Sequence, residues 1–218
     1  MKELTTFLRS RQPVNLFLII INVAVFLVLD ILGDTEDAYF ILSHGGSYAP
    51  AVVAGKEYWR LFTAMFLHFG TEHLFYNMLM LIFLGDTLEK TVGKVRYLLI
   101  YLVGGLGGNI VSTFYEWNRE EYWISAGASG AIFAVVGALV CAVILNKGKL
   151  LDYSGPRLLM LAALSLLEGF TSVGTNYMAH AGGFVTGFLI ALLFWRKIKQ
   201  SGMRQPDRIP VTDYDELY

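Results

Sequence analysis

The chain has 218 residues, of which 55% are hydrophobic and 16% are charged, and its formal net charge is −1. Soluble domains carry about 25% charged residues. The composition therefore excludes a disordered chain, a nucleic-acid-binding protein and an ordinary cytosolic domain. The single cysteine, Cys141, excludes an internal disulfide framework and a thiolate metal cluster. Because the charges cluster between long uncharged runs, we predict an all-α polytopic membrane protein.

Apolar runs suited to crossing a membrane occur six times along the chain. A helix needs about 20 mostly apolar residues to span the hydrocarbon core. We predict spans at about 14–32, 71–88, 95–115, 124–146, 156–170 and 175–195, the last two being separated by a small and polar series. The first run exceeds the apolar length of a signal peptide, which favours a retained span. The predicted organisation is a cytoplasmic N-terminus (1–13), a six-span domain (14–196) and a cytoplasmic C-terminal tail (197–218).

Lysine and arginine predict the orientation, since they are enriched in cytoplasmic loops. Fourteen of the 17 fall on the side that holds both termini, and the other three are Lys56, Arg60 and Arg119. Both termini are therefore expected in the cytoplasm, in a bacterial-type plasma membrane, since no organellar presequence precedes the first span. The first external loop, about 33–70, is long, aromatic and amphipathic, which is typical of a segment lying in the membrane interface.

Polar side chains within predicted spans are candidates for function, because burying them in lipid is costly. Four lie near the outer ends of the second, fourth and sixth spans: His73, Asn77, Ser129 and His180. A serine nucleophile requires an adjacent base, and an acyl-transfer intermediate requires hydrogen-bond donors for its oxyanion. Ser129 with His180 could supply the first, and His73 with Asn77 the second.

Packing offers an alternative explanation for each of these features taken alone. Small-residue runs such as 127–130 are common in contacts between membrane helices, and an intramembrane histidine is about as often hydrogen-bonded to a neighbour as chemically active. The close-contact surface of the sixth span is predicted at Gly183 and Gly187. Polar groups of similar depth on three helices favour catalysis.

The sequence resembles the rhomboid family of intramembrane serine proteases across nearly the whole six-span region. The resemblance rests on five motifs in order, which are Trp59-Arg60, His73-x-x-x-Asn77, Gly85-x-x-x-Glu89-x-x-x-Gly93, Gly127-Ala128-Ser129-Gly130, and Ala179-His180 followed by Gly183 and Gly187. Two departures are Leu166-Leu167-Glu168-Gly169, where many relatives have an asparagine, and Ala64, where some have a histidine.

The resemblance implies a six-helix rhomboid bundle and a role for each matching residue. Ser129 would be the nucleophile, His180 the general base without a third acid, and His73 and Asn77 would complete the oxyanion hole. Phe133 would pack against the His180 imidazole and Gly127 would line the substrate approach. Trp59 and Arg60 would shape the interfacial loop.

The implied activity is cleavage of transmembrane segments near the outer face of the bilayer. The expected partners are transmembrane substrate proteins and membrane lipid, and neither a cofactor, a metal nor nucleic acid is expected. Phe170, in the cap at 168–176, is a candidate plug, with the fifth span as the gate. Two alternatives stay open, namely a non-catalytic rhomboid-like protein that binds clients and, with less support, a transporter.

Overall fold

The computed structural model describes residues 11–146, 149–150, 153–154, 160 and 176–200. In chain order its elements are α1 (Pro13–Leu32), α2 (Ala38–Ser43), α3 (Ala49–Val53), α4 (Arg60–Thr63), a 3₁₀ turn (Ala64–Phe66), α5 (Gly70–Met80), a π-helical segment (Leu81–Gly85), α6 (Asp86–Val92), α7 (Lys94–Arg119), α8 (Ser129–Leu145), β1 (Lys149–Leu150), β2 (Tyr153–Ser154) and α9 (Tyr177–Gln200). The two strands pair antiparallel, a small hairpin that the all-α prediction did not include.

Within the part of the chain that the structure describes, three helices are long and apolar enough to cross a membrane: α1, α7 and the Tyr177–Phe194 part of α9. They coincide with the first, third and sixth predicted spans. The second lies in a continuous helical run of α5, the π-helical segment and α6, and the fourth in the shorter apolar helix α8. Of the fifth, at 156–170, only residue 160 is described, so the count of six stays a prediction.

A side chain of α1 accounts for the π-helical segment. Asn15 is fully buried, and its Nδ2 donates to the Leu81 carbonyl at 2.7 Å and to Asp86 Oδ1 at 2.8 Å. An outside donor on a helix carbonyl competes with the regular ladder and widens the turn. Tyr97 donates its hydroxyl to Asn15 Oδ1 at 2.6 Å, and a Cβ at Gly85 would overlap the Asn15 side chain. This explains why a glycine occupies position 85.

The first turn of α1 is capped by a carboxylate from another helix. Gln12, at the N-cap, makes no side-chain hydrogen bond to the helix. Glu89 of α6 instead accepts from the Val14 N–H at 3.2 Å and the Asn15 N–H at 2.7 Å, and it is 2% exposed. Both N–H groups belong to the unpaired first turn of a helix, where a negative charge is also favourable. Glu89 therefore fixes where α1 begins relative to α6.

Close backbone contacts join α7, α8 and α9. A Cβ added at Gly183 would overlap the Gly130 carbonyl, and one added at Gly187 would overlap the Ala134 carbonyl, both on α8. On α7, a Cβ at Gly108 would lie 2.5 Å from the Ala179 carbonyl of α9. Without a hydrophobic force between helices in lipid, such small-residue contacts supply the packing. The structure thus confirms the predicted close-contact surface of the last helix.

We expect Gly187→Ala to lower the free energy of unfolding by about 1–3 kcal/mol, the usual cost of overpacking a tight core. Besides overlapping the Ala134 carbonyl, the new methyl would stand 2.5 Å from the Ala134 Cα, and backbone cannot move aside as a flexible side chain can. Unfolding in a denaturing detergent would measure the change. Val185→Leu is the matched control, since it enlarges a 55% exposed residue of the same helix and should leave stability unchanged.

Candidate active site

Ser129 is the first residue of α8, so the prediction that the fourth helix begins at about 124 is wrong. The segment before it is held in an extended conformation, because Ser125 and Ser47 exchange two backbone hydrogen bonds of 2.8 Å each. Gly127 then has φ +140°, a backbone conformation that other residues rarely adopt. Because of these two constraints, the helix begins only at Ser129, and the serine is half-buried at the helix N-terminus.

Ser129 and His180 come together across the contact between α8 and α9. His180 Nε2 lies 2.8 Å from Ser129 Oγ, and His180 is 7% exposed. Since Nε2 must accept from the serine hydroxyl if it is to act as a base, the ring proton belongs on Nδ1. Among the residues that the structure describes, Nδ1 has no hydrogen-bond partner. The Phe133 ring instead stacks on the imidazole, with ring centroids 4.1 Å apart and planes 11° apart.

His73 presents a hydrogen-bond donor toward the same space. Its Nδ1 accepts from the Phe69 N–H at 3.4 Å, which assigns the ring proton to Nε2. A Cβ on Gly127 would lie 3.0 Å from His73 Nε2 and 3.5 Å from Ser129 Oγ. Gly127 therefore has no room for a side chain, and the Ser129 hydroxyl and the His73 N–H both lie near the same point beside its backbone.

Asn77 lies one helical turn after His73 and is buried. Its Nδ2 donates to the His73 carbonyl at 2.9 Å. An amide nitrogen carries two hydrogens, so one remains for another acceptor. In this geometry Asn77 holds the turn that carries His73 and retains a donor of its own.

Removal of the His73 donor should slow catalysis without damaging the fold. We expect His73→Phe to lower the rate of peptide cleavage by about 10²–10³-fold, the usual cost of losing one oxyanion donor. Cleavage of a fluorogenic transmembrane peptide by the purified protein in detergent would measure it. Tyr76→Phe is the control, since it removes a polar atom from a 48% exposed ring of the same helix. An unchanged rate in His73→Phe would remove His73 from the oxyanion hole.

A third histidine, for which the sequence predicts a structural or interfacial role without naming a partner, supports the serine segment. His68, in the loop before α5, is 1% exposed, and its Nε2 accepts from the Ala128 N–H at 3.5 Å. Burial, reinforced by the neighbouring His73, lowers the pKa of His68 to about 3. The ring is therefore neutral at physiological pH and keeps a lone pair for this contact. Only the folded chain brings positions 68 and 128 together, so no sequence pattern signals the pair.

The Trp59-Arg60 motif lies apart from the serine and histidine and organises the loop around it. Arg60 Nη1 donates to the Leu42 carbonyl at 2.5 Å and to the Gly46 carbonyl at 3.0 Å. Its Nε pairs with Glu57, and its guanidinium lies 4.6 Å from the centroid of the Trp59 ring. All of these partners belong to residues 42–60, in agreement with a shaping role for the motif. Phe170 lies outside the described residues, as does the predicted gate at 156–170 apart from residue 160.

The described helices are those of an integral membrane protein with a helical bundle. Ser129 and His180, at the start of two of these helices, form a buried polar site. The family model described as Rhomboid domain matches residues 55–197. This match covers more than half of the chain, and the protein belongs to the rhomboid family.

Relatives with curated descriptions carry the same family name. The chain is 31% identical over 189 residues to "Rhomboid protease GluP" of Bacillus subtilis (strain 168), covering 87% of this chain and 36% of that protein. It is 39% identical over 145 residues to "RHOMBOID-like protein 1" of Arabidopsis thaliana, covering 66% and 36%. It is 29% identical over 217 residues to "Rhomboid protease AarA" of Providencia stuartii, covering 88% and 76%. The chain thus spans about a third of the length of the first two.

Proposed function

We propose that this protein is an intramembrane serine endopeptidase that cleaves transmembrane segments of other membrane proteins. The observation that carries the proposal is the 2.8 Å contact between Ser129 Oγ and His180 Nε2, made beside Gly127, which a donor from His73 also approaches. Relatives described as rhomboid proteases support the same reaction class. A purely structural serine would need neither the adjacent imidazole nor the nearby His73 donor.

In the proposed reaction His180 Nε2 takes the proton of the Ser129 hydroxyl as Oγ attacks the substrate carbonyl carbon. The resulting tetrahedral intermediate carries a negative charge on the former carbonyl oxygen. When the C–N bond breaks, His180 returns the proton to the departing amine, which leaves an acyl group on Ser129. Water then hydrolyses this ester by the same route, with His180 again acting as base.

Three donors are available to the intermediate. The His73 Nε2–H lies beside Gly127. The Ser129 N–H belongs to the first turn of α8, where backbone N–H groups have no partner within the helix. Asn77 retains one amide hydrogen. The stacked Phe133 ring holds the imidazole plane in place of the carboxylate that other serine proteases use.

The type of substrate can be inferred because the peptide bonds of a helix are shielded by the helix's own hydrogen bonds. In a membrane helix each carbonyl is hydrogen-bonded within the segment, so cleavage requires a segment that unwinds near its end, through glycine, proline or polar residues. The distribution of Lys and Arg supports a site at the outer side of the bilayer, with both termini cytoplasmic. There water can reach Ser129.

Labelling of the purified protein with a fluorophosphonate probe in detergent tests the proposal. We expect the parent chain and Ser43→Ala, a change at an exposed serine of α2, to be labelled, and Ser129→Ala to be unlabelled. Absence of labelling in a folded parent, repeated with a second mechanism-based inhibitor, would contradict the proposal. The client-binding alternative would then be favoured.

A further inference from the structure

A buried hydrogen-bond network lies at the end of the bundle where α8 and α9 begin. It joins Glu116 and Ser112 of α7, Ser125 of the extended segment and Asn176 at the start of α9. Glu116 and Ser112 are 3% and 2% exposed. The Ser112 hydroxyl lies 2.7 Å from Glu116 Oε1, and Asn176 Nδ2 lies 2.7 Å from Ser112 Oγ and 2.8 Å from Ser125 Oγ.

One assignment of the hydrogens satisfies this network, in which Ser112 Oγ also lies 2.9 Å from Asn176 Oδ1. The Ser112 hydroxyl has one hydrogen, which it donates to the Glu116 carboxylate, and it then accepts from Asn176. The second amide hydrogen of Asn176 goes to Ser125 Oγ. Asn176 Oδ1 accepts from the Ala179 N–H at 3.0 Å, which caps the first turn of α9. Every polar atom of the Asn176 side chain is thereby used.

Ser125 and Asn176 have the same sequence spacing to Ser129 and His180, respectively. Ser125 precedes Ser129 by four residues, and Asn176 precedes His180 by four and accepts the His180 N–H on its backbone carbonyl at 3.2 Å. Ser125 is itself anchored by its two backbone bonds to Ser47. Any slide or rotation of α9 against the serine segment must therefore break the bond from Asn176 to Ser125.

We propose that Asn176 is a positioning residue that, through Ser125 and Ser112, sets the distance between Ser129 and His180. The proposal rests on the proposed function. The packing glycines of α8 and α9 bring the two helices together. The bonds of the Asn176 amide then fix the relative position of the helices at which Ser129 Oγ lies next to His180 Nε2. Errors in the placement of catalytic groups of about 1 Å can cost about 10²-fold in rate.

Asn176→Asp separates this role from helix capping. Aspartate caps a helix as well as asparagine does, so it keeps the acceptor for Ala179, but it lacks both amide hydrogens. We expect Asn176→Asp and Ser125→Ala each to lower kcat, counted per fluorophosphonate-reactive site, by about tenfold with an unchanged KM. The double variant should lose no more than Asn176→Asp alone, since that change already breaks the bond to Ser125.

Asn118→Ala is the matched control, because Asn118 lies near the same end of α7 and donates only to the Phe114 carbonyl of its own helix. It should keep the parent kcat. A merely structural role for Asn176 would reduce the fraction of reactive sites and leave kcat per site unchanged, and that result would overturn the proposal. Additive losses in the double variant would overturn it as well.

We call the bonds from Asn176 to Ser125 and Ser112 the clasp. Hydrogen exchange read by mass spectrometry tests the clasp without relying on activity. In Asn176→Asp and in Ser125→Ala, amide exchange should rise together at 125–130 and at 177–181, the segments that carry Ser129 and His180. Unchanged exchange at either segment would refute the proposal even in an active enzyme. Should the parent chain fail to label with fluorophosphonate, the proposed function fails, and the exchange data still decide whether the clasp exists.

Discussion

Replacement of His180 by alanine is expected to lower the rate of peptide cleavage by about 10⁴-fold or more, as removal of the base of a serine hydrolase does. The His180 Nε2 atom, 2.8 Å from Ser129 Oγ, is the base that the arrangement offers to the serine. Without it the hydroxyl keeps its proton and is a weak nucleophile. Loss of the imidazole also removes the acid that protonates the leaving amine.

The measurement is the initial rate on a fluorogenic transmembrane peptide with Gly and Pro near one end, together with the rate of fluorophosphonate labelling. His44→Ala is the matched control, since His44 is an exposed loop histidine whose ring bonds to the Phe40 carbonyl. It should cleave at the parent rate. Residual cleavage by folded His180→Ala within tenfold of the parent would show that another group takes the proton.

Replacement of Glu89 by alanine is expected to lower the free energy of unfolding by about 3 kcal/mol while leaving the chemistry of the folded molecules intact. The change leaves the Val14 and Asn15 N–H groups without their acceptor. Each buried donor left unpaired costs about 1–3 kcal/mol. Glu89→Gln keeps one acceptor oxygen, but its amide group opposes the other N–H, so a smaller loss is expected.

Unfolding of the purified chain in a denaturing detergent would measure the change, with kcat per fluorophosphonate-reactive site as the second readout. Glu121→Ala is the control, because that carboxylate is 58% exposed and pairs with Arg119 at 3.9 Å. Surface pairs of this kind contribute about 0–1 kcal/mol. Equal stability losses in Glu89→Ala and Glu121→Ala would contradict the capping role, and a loss of kcat per reactive site would show that the effect reaches Ser129.

The contacts of Glu89 lie at one end of the bundle, and Ser129 and His180 lie at the other. At one end Glu89, Asp86, Asn15 and Tyr97 join α1 to the segments around the π-helical turn and to α7. At the other end Ser129 and His180 meet between helices joined by glycine contacts. We therefore expect substitutions in the first group to act on stability and substitutions around Ser129 to act on rate.

Several parts of this arrangement follow from the sequence because they depend on local composition. Apolar length locates α1 and α7, since a chain that crosses lipid must satisfy its backbone within the segment. The serine between glycines and the two histidines predict the candidate reactive residues, and the spacing of Gly183 and Gly187 predicts the packing surface. A hydroxyl with an imidazole supports one narrow class of chemistry, so residue type alone is informative there.

The tertiary structure decided what depends on partners distant in the chain. Helix α8 begins at Ser129 and not at about 124 because Ser47 holds Ser125 in an extended pair. The π-helical segment requires Asn15 to reach the Leu81 carbonyl, 66 positions away. The links from His68 to Ala128 and from Asn176 to Ser125 join positions 60 and 51 apart. Apolar periodicity and motif spacing report which residues face lipid and which are reactive, but a hydrogen bond between distant segments forms only after the helices have packed.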